Sequence, residues 1–464
     1  MAEENINFKV IGIYYMLGNL FNKGVAFLTI PIFTRIIPTN DYGILTTYNS
    51  WVGIIAMFIG FAMHMGIRMA FVDFKEKIDD FMATVLSFTL EIGVIVCLVV
   101  VLFSYLFHIQ ISMLLILICL GEGIGTAIIE DFSMYLMMKY QYKGRTALMV
   151  LPNLFSIIFS IIAIYFFLNN QLYLGKVIPT ATISIVIAAF IVILFFLKSN
   201  VRHNRRYLKY ALSISTPLVF HGIALNILSQ SDRTMITWLA NPSQTAIYGL
   251  IYNFSMLATV ITSALEGVWT PWFMEKYKKR DFTDINNAVI YYTKFVAFVM
   301  IGLILVGPEI VKVLATKQYW EGIVIVPPVV LGNYFIFLYT FYVNVEHFNK
   351  KTLIISLHTV LAAIINIVLN LIFIPQYGYI AAAYTTLASY FCALVLHARY
   401  AKRLERELYP IKTFVPSLIQ ILVAIVFFYC FCDELVIRWC GVIVYTIILF
   451  IRNKERIITI IRKK

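Results

Sequence analysis

Repeated apolar runs, each about 20 residues long and free of acidic and basic side chains, constrain this chain more than any other feature. A helix of about that length crosses the hydrocarbon core of a bilayer. The apolar residues are continuous and do not alternate with polar ones, which indicates helices rather than the strands of a membrane barrel. Five runs contain no Asp, Glu, Lys or Arg: Ala147–Leu168, Val177–Leu197, Leu353–Ile374, Gly378–Ala398 and Thr413–Cys432.

Further runs carry one or a few charges, and they bring the predicted number of spans to about fourteen. Composition agrees, because 61% of the residues are hydrophobic and 13% are charged, whereas a soluble protein has about a quarter charged. We therefore predict an all-α polytopic membrane protein and exclude a soluble globule, a disordered chain and a disulfide scaffold. The charged runs are Val10–Ile37, Tyr42–Ile67, Phe81–Phe107, Ile109–Met138, Tyr210–Trp238, Ala246–Met274, Asn286–Leu314, Ile323–His347 and Leu435–Ile451.

The basic residues are distributed unevenly between alternate loops. When the spans are counted in order, 29 of the 37 Lys and Arg residues fall at the termini or on the even-numbered connections. Basic loops stay on the cytoplasmic side of a membrane, so we predict a multi-pass protein of the plasma (inner) membrane with both termini in the cytoplasm. The formal charge of +13 then reflects topology and contact with membrane lipids, and no nucleic-acid partner is predicted.

Two connections on the predicted outer side resemble each other. One runs from Arg35 through a proline to a Tyr-Gly pair ending at Gly43, and the other runs from Arg233 through a proline to a Tyr-Gly pair ending at Gly249. They lie about 200 residues apart, which is half of a twelve-span core, and parallel six-span repeats are a transporter architecture. The substrate path of such transporters runs between the two halves.

Over about residues 8–400, the chain resembles the polysaccharide flippases (O-antigen, Wzx-type) of the MOP superfamily, which also contains lipid II flippases and MATE exporters. The resemblance implies an N-terminal six-helix lobe at residues 1–205 and a C-terminal six-helix lobe at residues 206–405, around a central cavity. Two more transmembrane helices and a basic cytoplasmic tail would follow at residues 406–464. The residues that carry the resemblance are Ile30–Pro38, Asp41–Gly43, Thr216–Pro217, Ser231–Arg233, Ala246–Gly249, Asn366 with Asn370, Ile374–Gly378 and Ala381–Ala383.

The resemblance also implies a function. A flippase of this type translocates a polyprenyl-diphosphate-linked oligosaccharide repeat unit from the cytoplasmic to the outer leaflet, by alternating access, for the biosynthesis of a surface polysaccharide such as lipopolysaccharide O-antigen. Its partners are that lipid-linked oligosaccharide, membrane lipids and other polysaccharide-assembly proteins. The sequence does not identify the sugar.

Polar residues inside the spans are the candidate site residues, because an ionisable group in a membrane costs roughly 2.5–3.5 kcal/mol on insertion scales. In the seventh predicted span, Tyr210–Trp238, a polar stripe of Asn226, Ser229, Gln230, Arg233 and Thr237 falls on one helix face, and we expect this stripe to face a wet interior rather than lipid. Basic residues near the cavity would attract a diphosphate. Two alternatives stay open: Arg233 pairs with Asp232, and Arg35 extends to the outer headgroups. The diphosphate-binding candidates are Lys23, Arg35, Arg233, Lys294 and Arg68, and the polar cavity candidates are Asn19, Asn22, His64, Asn226 and Gln230.

Acidic residues in the spans are candidates for ion coupling. Buried carboxyls can carry protons, so we predict coupling to H+ or Na+ through Glu266, Glu130 or Glu122. The alternative is a fixed ion pair with Lys23 or Lys294 that only sets the packing. Glu122 lies in a Gly-Glu-Gly-x-Gly segment, where small residues allow close helix approach.

Two rival functions are weighed against the flippase. A MATE-like ion-coupled exporter of small molecules would favour acidic cavity residues, whereas basic candidates occur in both halves here. A membrane enzyme of polysaccharide assembly would need a catalytic constellation, and the seven histidines show neither nucleophile nor metal-ligand spacing. We therefore expect no enzymatic activity, no catalytic residues, no metal and no cofactor.

Overall fold

The structure is a computed structural model that describes residues 21, 24, 25, 27–109, 111–168, 170–199, 201 and 203–462. Helices dominate this part of the chain, and it contains no strand. Nine of its helical segments are long and apolar enough to cross a membrane. The predicted all-α polytopic class is therefore confirmed.

Each predicted span that lies in the described residues coincides with helix. The first half of the chain contains α1 (Phe27–Ile36), α2 (Thr39–Gly60), α3 (Met63–Asp73), α4 (Ile78–Leu106), α5 (Met113–Met138), α6 (Tyr142–Phe166), α7 (Leu174–Lys198) and α8 (Arg205–Leu239). The second half contains α9 (Pro242–Ser255), α10 (Leu257–Lys278), α11 (Phe282–Leu314), α12 (Val326–Phe348), α13 (Thr352–Leu404), α14 (Val415–Cys430) and α15 (Leu435–Arg462). Short 3₁₀ segments lie at Lys75–Lys77, Lys317–Ile325 and Ile411–Thr413.

Helix α13 joins two predicted spans across a kink at Gly378. The backbone there has φ 58° and ψ −141°, a conformation that is essentially restricted to glycine. The N–H of the next residue, Tyr379, donates a hydrogen bond of 3.0 Å to Gln244 Oε1. The kink is therefore fixed by a side chain as well as by the backbone.

The helices cluster into two compact units, and the first contains the described residues up to Ala246 together with Thr352–Tyr379. Its hydrophobic core is formed where α3, α4, α5, α7 and α8 meet. Helices α5 and α7 approach closely, because a Cβ added to Gly125 would lie 3.0 Å from the carbonyl oxygen of Ser184. This confirms the role predicted for the small residues around Glu122. Central core residues include Met63, Ile67, Phe81, Leu86, Ile128, Tyr135, Phe195 and Ala211.

The second unit comprises Ile247–Lys351 and the chain from Ile380 onward. Helix α12 is its most buried span, and α11 packs beside it and also against α14 and α15. Arg438 of α15 is 1% exposed and makes a bidentate ion pair with Glu309 of α11, at 2.5 and 3.0 Å. This pair attaches the last helix to the unit. The lobe boundaries at residues 205 and 405 stay a prediction.

Candidate functional site

The polar stripe predicted in the span Tyr210–Trp238 lies on α8 and faces α2. Trp51 Nε1 donates a hydrogen bond of 2.9 Å to Thr234 Oγ1, and the hydroxyls of Thr47 and Thr237 lie 2.5 Å apart. Ser50 Oγ donates to Gln230 Oε1 at 3.3 Å. The sequence predicts that this stripe faces a wet interior. In the structure it contacts α2, whose side chains satisfy Gln230, Thr234 and Thr237, and the access of water to the stripe stays a prediction.

Arg233 lies at the centre of this contact and is 5% exposed. Its guanidinium donates to the carbonyl oxygen of Ser229 at 2.8 Å and to Gln230 Oε1 at 2.7 Å. About two turns before Arg233 on α8, Asn226 Oδ1 is buried and has no hydrogen-bond partner among the described residues. The stripe thus combines a buried cation with neutral polar groups. Such a set can bind an anionic group if α2 and α8 separate.

The two similar outer connections meet at the end of the α2–α8 contact. A Cβ added to Gly43 would lie 1.7 Å from the carbonyl oxygen of Pro242, so the first turn of α2 packs directly on the start of α9. Beside it, Thr245 Oγ1 lies 2.7 Å from Thr237 Oγ1 and donates to the carbonyl oxygen of Arg233 at 3.3 Å. The two connections predicted as a repeat therefore pack against each other at the predicted outer end of α2 and α8.

Gly43→Ala is expected to lower the free energy of unfolding by about 1–3 kcal/mol, because a methyl group cannot fit against a backbone carbonyl. The change is measured as a lower temperature of thermal unfolding in detergent. Gly302→Ala in α11 is the matched control, because nothing lies within 4 Å of its added Cβ. The higher helix propensity of alanine should stabilise the folded protein by about 1 kcal/mol. Equal shifts for both variants would contradict the close contact.

The opposite face of α8 carries a second polar cluster. Its residues belong to the motifs that carry the family resemblance, but the sequence predicted no role for them. Asn370 Nδ2 of α13 donates to Asp232 Oδ1 at 2.6 Å and to Asn366 Oδ1 at 3.2 Å. Asp232, Asn366 and Asn370 are all 0% exposed. The signal that could have found them is the spacing of four residues between the two asparagines, which places both on one helix face.

The candidate acids occupy three different environments. Glu122 is 6% exposed and accepts a hydrogen bond of 2.6 Å from the Tyr48 hydroxyl of α2. Glu130 is 58% exposed, and its Oε1 lies 3.8 Å from His64 Nδ1. Glu266 is exposed on α10 in the second unit. Glu130 and Glu266 are thus not enclosed by the described part of the protein, and a His64 ring nitrogen lies beside Glu130; the alternative of an ion pair with Lys23 or Lys294 stays a prediction.

Three further basic candidates have exposed side chains. Arg35 is exposed at the end of α1 and donates to the carbonyl oxygen of Pro31 at 2.7 Å. Arg68 is exposed on α3, one turn from His64, and Lys294 is exposed on α11. Asn19, Asn22 and Lys23 lie outside the described residues. The roles of all these residues stay predictions.

A buried acid–histidine pair in the second unit escaped the sequence analysis. Glu346 of α12 and His397 of α13 are 0% and 1% exposed, and Glu346 Oε2 lies 2.7 Å from His397 Nδ1. Tyr339 stacks on the imidazole with ring centroids 5.5 Å apart. Fifty-one residues separate the pair in sequence, so no local pattern could have joined them.

Comparison with known proteins gives matches over most of the chain. A family model described as "Polysaccharide biosynthesis protein" matches residues 12–276. An uncharacterized membrane protein of Methanocaldococcus jannaschii is 21% identical, with 94% of this chain and 92% of that protein covered.

Solved structures share the fold. The lipid II flippase MurJ, in an inward closed conformation, superimposes with a TM-score of 0.69 at 17% identity, covering 96% of this chain and 100% of that one. An inward-facing multidrug resistance MATE family transporter of the MOP superfamily gives a TM-score of 0.58 at 13% identity, covering 82% and 94%. The chain therefore has the fold of MOP superfamily transporters.

Proposed function

Because this chain belongs to the polysaccharide biosynthesis protein family, we propose that it is a flippase for a polyprenyl-diphosphate-linked oligosaccharide. The repeat unit moves from the cytoplasmic to the outer leaflet of the plasma membrane and serves surface polysaccharide biosynthesis. Family membership is the observation that carries this proposal. We also propose that both termini lie in the cytoplasm and that transport leaves the covalent structure of the cargo unchanged. Other polysaccharide-assembly proteins supply the lipid-linked unit and use it after transport.

The geometry of α2 and α8 supports an anionic cargo. Arg233 is held near the predicted outer end by neutral acceptors on its own helix, and a guanidinium binds phosphate oxygens through two parallel hydrogen bonds. Around it lie the amide and hydroxyl groups of Gln230, Ser50 and Thr47, which suit sugar hydroxyls as well as phosphate. The cargo reaches these groups when α2 and α8 separate, and the lipid chain stays in the bilayer.

The direct test uses proteoliposomes that contain the purified protein and a labelled polyprenyl-diphosphate oligosaccharide. We expect the sugar to become accessible to a membrane-impermeant glycosidase on the opposite side, with the lipid-linked molecule otherwise unchanged. Cells that lack the protein should accumulate the lipid-linked unit in the cytoplasmic leaflet. Normal translocation in those cells together with greater sensitivity to cationic drugs would favour an exporter, and a covalently altered cargo would show an enzyme.

Ion coupling is proposed at Glu122, the candidate acid that is buried. Its contact with Tyr48 joins α5 to α2, the helix that also contacts Arg233, so a change in the charge of Glu122 can alter how α2 packs. Glu130 and Glu266 are secondary candidates.

Glu122→Gln is expected to abolish the dependence of the transport rate on an imposed H+ or Na+ gradient, because glutamine keeps the shape and loses the titratable charge. The measurement compares proteoliposomes with and without each gradient. Glu130→Gln is the matched control, since the same chemical change is made at an exposed position on the same helix. Gradient dependence that survives in Glu122→Gln and disappears in Glu130→Gln would reassign the coupling site.

A further inference from the structure

A partly exposed apolar groove lies between α5, α6 and α7 of the first unit. It has a volume of about 560 Å³ and is lined by Phe132 and Leu136 of α5, Leu151, Phe155 and Phe159 of α6, and Val186 of α7. Four of these side chains are 46–60% exposed when only protein is considered: Leu151, Phe155, Phe159 and Val186. No lining residue comes from α2 or α8, so the groove is separate from the candidate substrate site.

The groove is open because α6 lies at the periphery of the unit, where few of its side chains are covered by protein. Only Ser156, Ser160 and Ile164 of this helix are buried. Pro152 lies inside α6 and on the groove wall, and a proline removes one backbone hydrogen bond and bends the helix. Apolar space beside a bent membrane helix is filled by lipid chains, since water gains nothing there.

One end of the groove is basic. Lining residue Gly144 lies within the segment from Lys139 to Arg145, which contains three basic residues and no acidic one. Lys143 is exposed, Arg145 Nε donates to Ser133 Oγ of α5 at 3.1 Å, and Lys139 pairs with Asp79 at 3.0 Å. The positive-inside distribution assigns this end to the cytoplasm.

The groove is longer than the hydrocarbon part of one leaflet, so it can hold the whole acyl chain of a lipid from the basic end. Gly144 and Phe159 both line it, and the helix between them rises by about 22 Å at about 1.5 Å per residue. Half of the hydrocarbon core is about 15 Å thick. A lipid whose phosphate lies near Lys143 can therefore place its chain along the groove without crossing into the other leaflet.

We propose that this groove binds an anionic phospholipid of the cytoplasmic leaflet, with its acyl chain between α5, α6 and α7 and its phosphate at Lys143 and Arg145. The lipid would hold α6 against its neighbours. The proposal does not depend on the transported cargo, and it is tested without a transport assay.

The experiment titrates the purified full-length protein in detergent with phosphatidylglycerol or with phosphatidylcholine of the same acyl chains, and it counts bound lipids by native mass spectrometry. We expect phosphatidylglycerol to bind more tightly at one site per chain. Lys143→Gln should weaken the binding of phosphatidylglycerol about fivefold, which is the contribution of one basic residue near an anionic surface. The binding of phosphatidylcholine should not change. Lys278→Gln, the same change at an exposed lysine of the second unit, should change neither.

A second variant tests the binding of the acyl chain in the groove independently of charge. Ala147→Trp fills the groove, since Ala147 lines it, and should remove the one tightly bound phosphatidylglycerol. Ile162→Trp adds the same side chain on α6 at an exposed position outside the lining and should retain the lipid. Equal binding of both lipids, retention of phosphatidylglycerol in Ala147→Trp, or one-for-one displacement by a polyprenyl diphosphate would each overturn the proposal.

Discussion

Replacing Arg233 with glutamine is expected to slow translocation of the lipid-linked oligosaccharide roughly tenfold to hundredfold. A hydrogen bond to a charged group contributes about 1.5–3 kcal/mol, and every 1.4 kcal/mol corresponds to about a factor of ten. Glutamine can still donate to the carbonyl oxygen of Ser229, so the packing of α8 on α2 is largely kept while the charge is lost. The rate is measured in proteoliposomes by exposure of the sugar to an impermeant glycosidase.

Two controls separate the charge of Arg233 from its structural contacts. Arg233→Lys keeps a cation at the same place and should retain most of the rate, although lysine lacks the planar fork that binds phosphate bidentately. Lys312→Gln removes one charge from an exposed position at the predicted outer end of α11 and should have no effect. If Arg233→Gln transports at the normal rate, the guanidinium only anchors α8, and the substrate role is wrong.

The number and type of elements could be predicted because single helices in a membrane are specified locally. A run such as Val177–Leu197 has no other stable conformation in a bilayer, since every backbone group must be satisfied within the segment. The boundary between the predicted spans Leu353–Ile374 and Gly378–Ala398 falls at the kink of α13, although the kink itself was not predicted. The physics of one helix was sufficient for each of these inferences.

The partners of each helix face could not be predicted, because they depend on residues far away in sequence. The spacing of Gln230, Arg233 and Thr237 showed that they share a face, but a polar face can meet water or another helix. Thr47 belongs to an ordinary apolar run, and nothing local marks it as the partner of Thr237, 190 residues later. The same reason hid the pair of Glu346 and His397.

Linking α2 to α8 covalently is expected to stop transport. The variant carries Thr47→Cys and Thr237→Cys in a chain whose six native cysteines are replaced by serine or alanine. The two new cysteines should form a disulfide, because the hydroxyl oxygens of the two threonines lie 2.5 Å apart and the Cβ separation of a disulfide is about 3.5–4.5 Å. Oxidation should lower the transport rate at least about tenfold, and a reductant should restore it, since the linked helices cannot expose Arg233 to the cargo.

The matched control places the same cross-link where no separation is required. Ser156 of α6 and Thr180 of α7 also have hydroxyl oxygens 2.5 Å apart, and in the described part of the chain neither helix contributes a side chain to the α2–α8 contact around Arg233. Ser156→Cys with Thr180→Cys should therefore oxidise as readily and keep the transport rate. Full transport by the oxidised α2–α8 variant would mean that Arg233 stays buried throughout the cycle, and the cargo path would then have to run along other residues of the chain.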